Sequence, residues 1–154
     1  MSTLNKYQMQ EVGILHLRDA SDALMYADGP DGAPDLAKPI RVHVYGPGSK
    51  QYARAMSAKA ARWLKYRERK GAKVDQTAEE KALDQTEFLA ACTMMIENAE
   101  SETGATGHDF FVEVYSNDKL SFIRDQVNAF ANDTANFTSG STSSSPPSSD
   151  KAPG

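Results

Sequence analysis

Hydrophobic and polar residues alternate strictly over one short stretch of this chain, residues 40–45 (IRVHVY). Its isoleucine and two valines take every second position. Because successive side chains of a strand point to opposite faces, the stretch predicts a half-buried β-strand. Gly46, Pro47 and Gly48 follow at once. Proline lacks a backbone donor and glycine accepts turn dihedrals closed to other residues, so we expect the strand to end there.

Beyond this turn the apolar period lengthens from two residues to that of a helix. Ser49 is a suitable N-cap and Gly71 a suitable stop, which together bound one long helix. Apolar positions three, four and seven residues apart mark one side of it. These positions are Tyr52, Met56, Ala60, Trp63, Leu64 and Arg67.

Two shorter apolar runs precede the strand, at residues 12–17 (VGILHL) and 24–26 (LMY), with a polar turn at 18–22 between them. This order predicts a β-hairpin. Residues 28–34 are rich in Gly, Pro and Asp and predict a loop. With strand 40–45 the hairpin makes a small three-stranded sheet, which needs a cover because two or three strands alone are marginally stable in water.

A second helix is predicted from Thr77, where Thr-Ala-Glu-Glu forms a capping box, to about Ala99. Its polar face is acidic. An acidic helix directly after a basic one predicts antiparallel pairing, within the monomer or between subunits. Its apolar arc is broad, which implies contacts on two sides. That arc consists of Leu83, Phe88, Ala90, Cys92, Met94, Met95, Ile96 and Ala99.

The end of the apolar part of the chain predicts one more strand and one more helix. Residues 110–115 (FFVEVY) alternate as a strand does, with an extended lead-in to the last helix as the alternative. Ser116 is a suitable N-cap for a helix over 117–133. The apolar stripe of that helix is Leu120, Ile123, Val127 and Phe130, with Phe122 beside it.

These elements predict an α+β fold class: a small N-terminal antiparallel sheet or hairpin, about three helices, and a disordered C-terminal tail. Residues 138–154 are rich in Ser and Pro and hold no large apolar side chain, so they cannot offset the entropy of ordering. The predicted organisation is a flexible N-terminus over 1–11, a single domain over 12–137 and a flexible tail or linker over 138–154.

Charge is distributed unevenly along the chain. Residues 50–73 hold nine Lys or Arg against one Glu, and nine minus one gives +8, whereas the whole chain is at -4. A field of one sign usually marks an interaction surface, although a helix face balanced by acidic neighbours in the same fold has equal weight. The basic surface consists of Arg54, Lys59, Arg62, Lys65 and Arg69.

The sequence offers little catalytic or ligand-binding chemistry. The turn at 46–50 (GPGSK) lacks the glycine spacing and the Lys-Ser/Thr order of a phosphate-binding loop. Three histidines are scattered, and no pair of His or Cys has metal-ligand spacing. Cys92 is expected among apolar residues, which raise the pKa of a thiol. We therefore predict no enzymatic activity, no cofactor and no metal site.

One cysteine cannot form an internal disulfide, which agrees with a reducing compartment. Residues 1–13 lack the apolar run of a secretory signal, and no stretch approaches the roughly 20 apolar residues of a membrane span. These observations predict a soluble intracellular protein without membrane contact.

The sequence also contains a glycine turn leading through Ser and Tyr into a helix (VHVYGPGSKQYARAMSAKAAR), an acidic helix with a Leu89-Ala90 pair (EEKALDQTEFLAACT), and the segments 117–120 and 123–137. Over about residues 12–137 this arrangement resembles the tail assembly chaperones of long-tailed double-stranded DNA bacteriophages. The chain departs from the family after the Leu-Ala pair, where Trp and Gly are common and this chain has Thr-Met-Met-Ile. In the last segment the matching positions are Gln126, Val127, Phe130, Asn136 and Phe137.

The resemblance implies a non-catalytic assembly factor in the cytoplasm of the infected host. Such chaperones bind the tape measure protein and keep it soluble, help to recruit tail tube subunits, and are absent from the finished virion. Many are made in two lengths by a programmed ribosomal frameshift. The Ser/Pro-rich residues 138–154 suit a linker to a second module.

The surface that binds a partner is expected to be the apolar surface that one small sheet cannot cover. A homo-oligomer sensitive to salt is also predicted from the basic and acidic helices. The candidate partner-binding residues are Met56, Trp63, Phe88, Met95, Ile96, Leu120, Ile123, Val127 and Phe130.

Two other functions remain open. The first is a nucleic-acid-binding module in which helix 50–70 contacts phosphates and Trp63 or Tyr66 stacks on bases, although the net acidic chain disfavours nucleic acid. The second is a structural head-tail joining or tail-terminator subunit, which differs from a chaperone by staying in the virion.

Overall fold

A three-stranded antiparallel sheet with helices packed on one face forms the centre of this protein in the computed structural model, which describes residues 3–70 and 76–138. The predicted α+β class is confirmed, with four α-helices in the described part of the chain. The strands are β1 (Val12–His16), β2 (Tyr26–Asp28), β3 (Pro34–Pro39), β4 (Arg41–Tyr45) and β5 (Thr93–Glu97). The helices are α1 (Lys50–Lys70), α2 (Ala78–Ala91), α3 (Gly107–Ser116) and α4 (Ser121–Ala131). Short 3-10 turns cover Thr3–Tyr7, Asp118–Leu120 and Thr134–Phe137.

Strand β4 is the centre of the sheet, whose order is β1-β4-β5. Its predicted alternation is confirmed, because Val42 and Val44 are fully buried toward the helices. The prediction of a sheet strand at 24–26 was wrong. An isolated bridge from Arg18 to Leu24 and a hydrogen bond from the Met25 N–H to Leu17 O at 2.9 Å join that segment to the residues just after β1, but the segment adds no strand to the sheet. Strand β2 pairs instead with β3, a strand that was not predicted and that begins where the expected loop at 28–34 ends, and the two form a separate ribbon.

The third strand of the sheet comes from a stretch predicted to be helical. Helix α2 begins as predicted, with the Glu80 N–H donating to Thr77 Oγ1 at 3.1 Å and the Thr77 N–H donating to Glu80 Oε1 at 2.8 Å. It ends at Ala91, and β5 then pairs with the open edge of β4. Asn98, at a φ of 61°, turns the chain away after the strand. The helix to Ala99 was wrong because a short apolar run fits a buried strand as well as a helix.

Two predictions near the C-terminal end were also wrong. Residues 110–115 are helical, as part of α3, because Phe111 and Tyr115 lie four residues apart and both are buried on one helix face. The last helix is divided. Asn117, not Ser116, caps a 3-10 turn by accepting from the Lys119 N–H at 2.9 Å, and α4 then follows.

A small polar network joins α2, α3 and β5 inside the core. Thr93 Oγ1 donates to Leu89 O at 2.8 Å and lies 2.7 Å from the hydroxyl of Tyr115, which is fully buried. Thr86 Oγ1 donates to Tyr115 O at 3.2 Å. These bonds satisfy polar groups that would be costly to bury unpaired. The predicted linker at 72–76, apart from Gln76, and the predicted tail beyond Thr138 lie outside the described residues.

Candidate interaction surface on helix α1

Helix α1 begins where the sequence predicts. Ser49 Oγ accepts from the Tyr52 N–H at 3.0 Å and donates to Gly46 O at 2.8 Å, so one hydroxyl both caps the helix and holds the preceding turn. The helix has 21 residues and is therefore about 31 Å long. Gly71, the predicted stop, lies outside the described residues.

Helix α1 packs antiparallel on α2. Near its start the ring of Tyr52 meets that of Phe88, with 5.6 Å between centroids. About two to three turns further on, Arg62 Nε donates to Asp84 Oδ1 at 2.7 Å and Lys59 Nζ lies 3.4 Å from Asp84 Oδ2. The basic and acidic helices thus pair within one chain. The charge pattern needs no second subunit, and the homo-oligomer stays a prediction.

The side of α1 that packs on α2 is not the stripe that hydropathy selects. Its side chains recur in steps of three and four residues and are buried or half-buried. Two of them are cations, whose alkyl stems pack while their charged ends reach Asp84. We call this row the inner seam; it consists of Tyr52, Ala55, Lys59, Arg62 and Tyr66.

A second row, one residue further along, has the same spacing and faces solvent. Met56, Trp63 and Leu64 are 46%, 41% and 59% exposed. Most of the stripe expected from the sequence therefore exists as an apolar row, but it points away from the core. We call it the outer seam; it consists of Ala53, Met56, Ala60, Trp63 and Arg67, with Leu64 beside it.

Trp63 is held in place without being covered. Its ring stacks on that of Tyr66, with 5.7 Å between centroids and 19° between planes. The guanidinium of Arg67 lies 6.0 Å from the Trp63 ring centroid, within the range of a cation–π contact. The outer seam therefore presents a large aromatic side chain that loses little conformational freedom when a partner packs on it.

The five residues of the predicted basic surface do not form one surface. Lys59 and Arg62 are engaged by Asp84. The other three, Arg54, Lys65 and Arg69, are exposed. At about 100° per residue, these three lie roughly a third to half a turn around the helix from Trp63. These three cations and Trp63 therefore face different sides of α1, so they do not form one surface that could bind phosphates and stack on bases together.

The remaining candidate partner-binding residues are divided between core and surface. Five of them, Phe88, Ile96, Ile123, Val127 and Phe130, are buried in the core. Leu120 is half-buried, and Met95 is 43% exposed on β5. Met95 borders a shallow groove of about 450 Å³ between β5 and α3. The groove is lined by residues that include Met94, Met95, Ile96, Ala99, Phe110 and Phe111.

A charged cluster lies across the outward face of β4 and β5. Glu97 accepts a hydrogen bond from Arg41 Nη2 at 3.1 Å and pairs with His43 Nε2. Partial burial opposes ionisation of Glu97, but the hydrogen bonds and charges of His43 and Arg41 outweigh it and lower the pKa of this carboxyl. The cluster ties the two strands together on the side away from the helices.

Cys92 has the surroundings of a structural cysteine. It is fully buried at the end of α2, and burial raises the pKa of its thiol to about 12. His16 is buried, with Nε2 2.9 Å from Met25 O. Among residues 3–70 and 76–138, no group of three or more His, Cys, Asp or Glu is placed to hold a metal ion. Within the same residues, no helix has the length and apolarity to cross a membrane.

Comparisons with protein-family models, with curated proteins and with solved structures gave no match.

Proposed function

We propose that this protein is a tail assembly chaperone of a long-tailed double-stranded DNA bacteriophage. It acts in the cytoplasm of the infected host, binds the tape measure protein, keeps it soluble, and helps to recruit tail tube subunits. The proposal joins the sequence resemblance over about residues 12–137 to one structural observation. That observation is the exposed outer seam of α1, an apolar row that the fold itself leaves uncovered.

The outer seam suits an escort role for physical reasons. In a protein that is soluble without a partner, a surface helix normally packs its apolar side chains against the core. In α1 only the inner seam packs in this way, and the apolar side chains of the outer seam stay exposed. Exposed Met56, Trp63 and Leu64 offer a partner apolar area that water covers until binding. A long protein with many amphipathic helices can engage many copies of this chain, one at each helix.

Co-expression with the tape measure protein of the same phage tests this proposal. We expect the tape measure protein to move from the insoluble to the soluble fraction and to co-purify with the chaperone. An insoluble tape measure protein with nothing co-purifying would remove the proposal. Mass spectrometry of purified virions separates the alternative of a joining or terminator subunit, because such a subunit stays in the particle and a chaperone does not.

A further inference from the structure

The outer seam has the spacing of a helix-packing surface. Its alternate steps of three and four residues, from Ala53 to Arg67, keep one row facing one neighbour. Small Ala60 lies between large Met56 and Trp63, so the row has knobs and holes rather than a smooth face. Side chains in such a row interlock with those of a second helix. The shape of the surface therefore selects a helix as its occupant.

Helix α2 shows which kind of helix α1 accepts. It carries four carboxylates against one lysine, and its Asp84 takes both Lys59 and Arg62. Helix α1 carries eight Lys or Arg against one Glu. Packed helices have axes about 8 to 10 Å apart, close to the Debye length of about 8 Å at physiological salt. A helix packed against the outer seam is therefore within electrostatic range of the positive charges on all sides of α1. Their attraction favours a helix with a net negative charge.

Two other occupants fit the outer seam less well. A second copy of α1 would place one strongly cationic helix against another. The segments of this chain outside the described part, residues 1–2, 71–75 and 139–154, hold two large apolar side chains between them, Met1 and Val74. That is too little to cover Met56, Trp63 and Leu64.

We infer that the outer seam binds an acidic amphipathic helix of another protein, which then lies about a quarter turn around α1 from α2. The inference rests on the proposed function and specifies its recognition chemistry. The bound helix turns apolar residues at alternate steps of three and four toward Met56, Trp63 and Leu64. Asp and Glu residues flank the apolar row of the bound helix. They are attracted to Arg67 and to the net positive charge of α1.

The tryptophan of the outer seam provides the measurement, because Trp63 is the only Trp in the chain. The full chain is titrated with three synthetic peptides of the length of α1. One is an acidic amphipathic helix, the second replaces its Glu residues with Lys, and the third is a scrambled acidic sequence without helical periodicity. We expect the acidic helix to shift the Trp63 emission to the blue and to bind at least about tenfold more tightly than the other two. Its affinity should fall as NaCl is added.

Substitutions in the seam identify where the peptide binds. Leu64→Glu should weaken binding of the acidic peptide about tenfold or more, because it places a like charge in the apolar row. The matched control is Leu36→Glu on β3, a leucine that is 74% exposed and lies on a different element from the outer seam; it should leave the affinity unchanged. Arg67→Glu should weaken the acidic peptide and strengthen the lysine peptide, a reversal that general damage to the fold does not produce.

Three results overturn the inference: equal binding of all three peptides, no loss with Leu64→Glu, or a Trp63 response to a single-stranded DNA oligonucleotide and none to the acidic peptide. Its failure is distinct from failure of the proposed function. If the tape measure protein is solubilised equally by wild type and by Leu64→Glu, the chaperone function stands and the inference fails. If the acidic peptide binds and the tape measure protein stays insoluble, the inference stands and the chaperone function fails.

Discussion

The ring of Phe137 lies against Gly46, in the space that a side chain at that position would occupy. Gly13 on β1 faces the same ring, since a Cβ there would lie 2.9 Å from Phe137 Cε1. The two glycines make a flat seat for a side chain that is fully buried. Phe137 O also accepts from the Gln10 N–H at 2.6 Å, so the end of the described fold is fixed to the segment just before β1.

Gly46→Ala should therefore destabilise the protein by about 1 to 3 kcal/mol, the usual cost of overpacking a filled site. The free energy of unfolding in urea measures it. Gly48→Ala is the matched control two residues away. A Cβ at Gly48 meets its nearest atom, Met9 Cε, at an ordinary 3.4 Å, so its effect should stay within about 0.5 kcal/mol. Equal effects of the two substitutions would show that the Phe137 seat does not determine the cost.

The sequence predicts secondary structure best where a local signal, such as a helix cap, agrees with the period of the apolar residues. Helix α1 has both a serine cap and a long period, and α2 has a capping box at its start. Strand β5 has neither kind of signal. Its five residues follow a helix without a glycine or proline between, and what makes them a strand is the open edge of β4. That edge is distant in sequence, so no local pattern reveals it.

Helix α1 shows a second limit of sequence reasoning. Hydropathy finds the outer seam, because Met56, Trp63 and Leu64 are apolar, but it cannot tell which of two rows faces the core. The inner seam contains Lys59 and Arg62. The inner seam packs on α2 because Asp84 of that helix pairs with both cations. These ion pairs exist only once the two helices are packed.

Asp84→Ala should loosen α1 from α2. The carboxylate is mostly buried and takes an ion pair from Lys59 and a charged hydrogen bond from Arg62, so its loss leaves two half-buried cations facing each other. We expect a cost of about 1 to 2 kcal/mol in the free energy of unfolding, smaller at high salt. Glu102→Gln, at an exposed loop position, removes the same charge and should have little effect. Equal, small effects of the two would mean that Asp84 does not hold the helix pair together.

Substitutions at Thr93 and Tyr115 should have non-additive effects on the free energy of unfolding. Tyr115→Phe removes one buried hydroxyl but leaves Thr93 Oγ1 bonded to Leu89 O, so it should cost about 1 kcal/mol. Thr93→Val leaves the Tyr115 hydroxyl without this partner and should cost about 1 to 3 kcal/mol. A double-mutant cycle in urea should find the double variant less destabilised than the sum of the two. Additive costs would indicate that the 2.7 Å contact contributes nothing of its own.

Glu97 should make stability depend on pH in a known direction. Its pKa is lowered in the folded protein, so the folded state holds this proton less tightly than the unfolded state does. The stabilisation is therefore complete above the ordinary glutamate pKa of about 4.3 and is lost as the pH falls from there through the folded value. We expect Glu97→Gln to lower the urea midpoint of unfolding at pH 7. The difference in midpoint between variant and wild type should become smaller as the pH is lowered. A gap that stays constant from pH 7 to the acid limit of folding would show that Arg41 and His43 do not favour the ionised carboxylate.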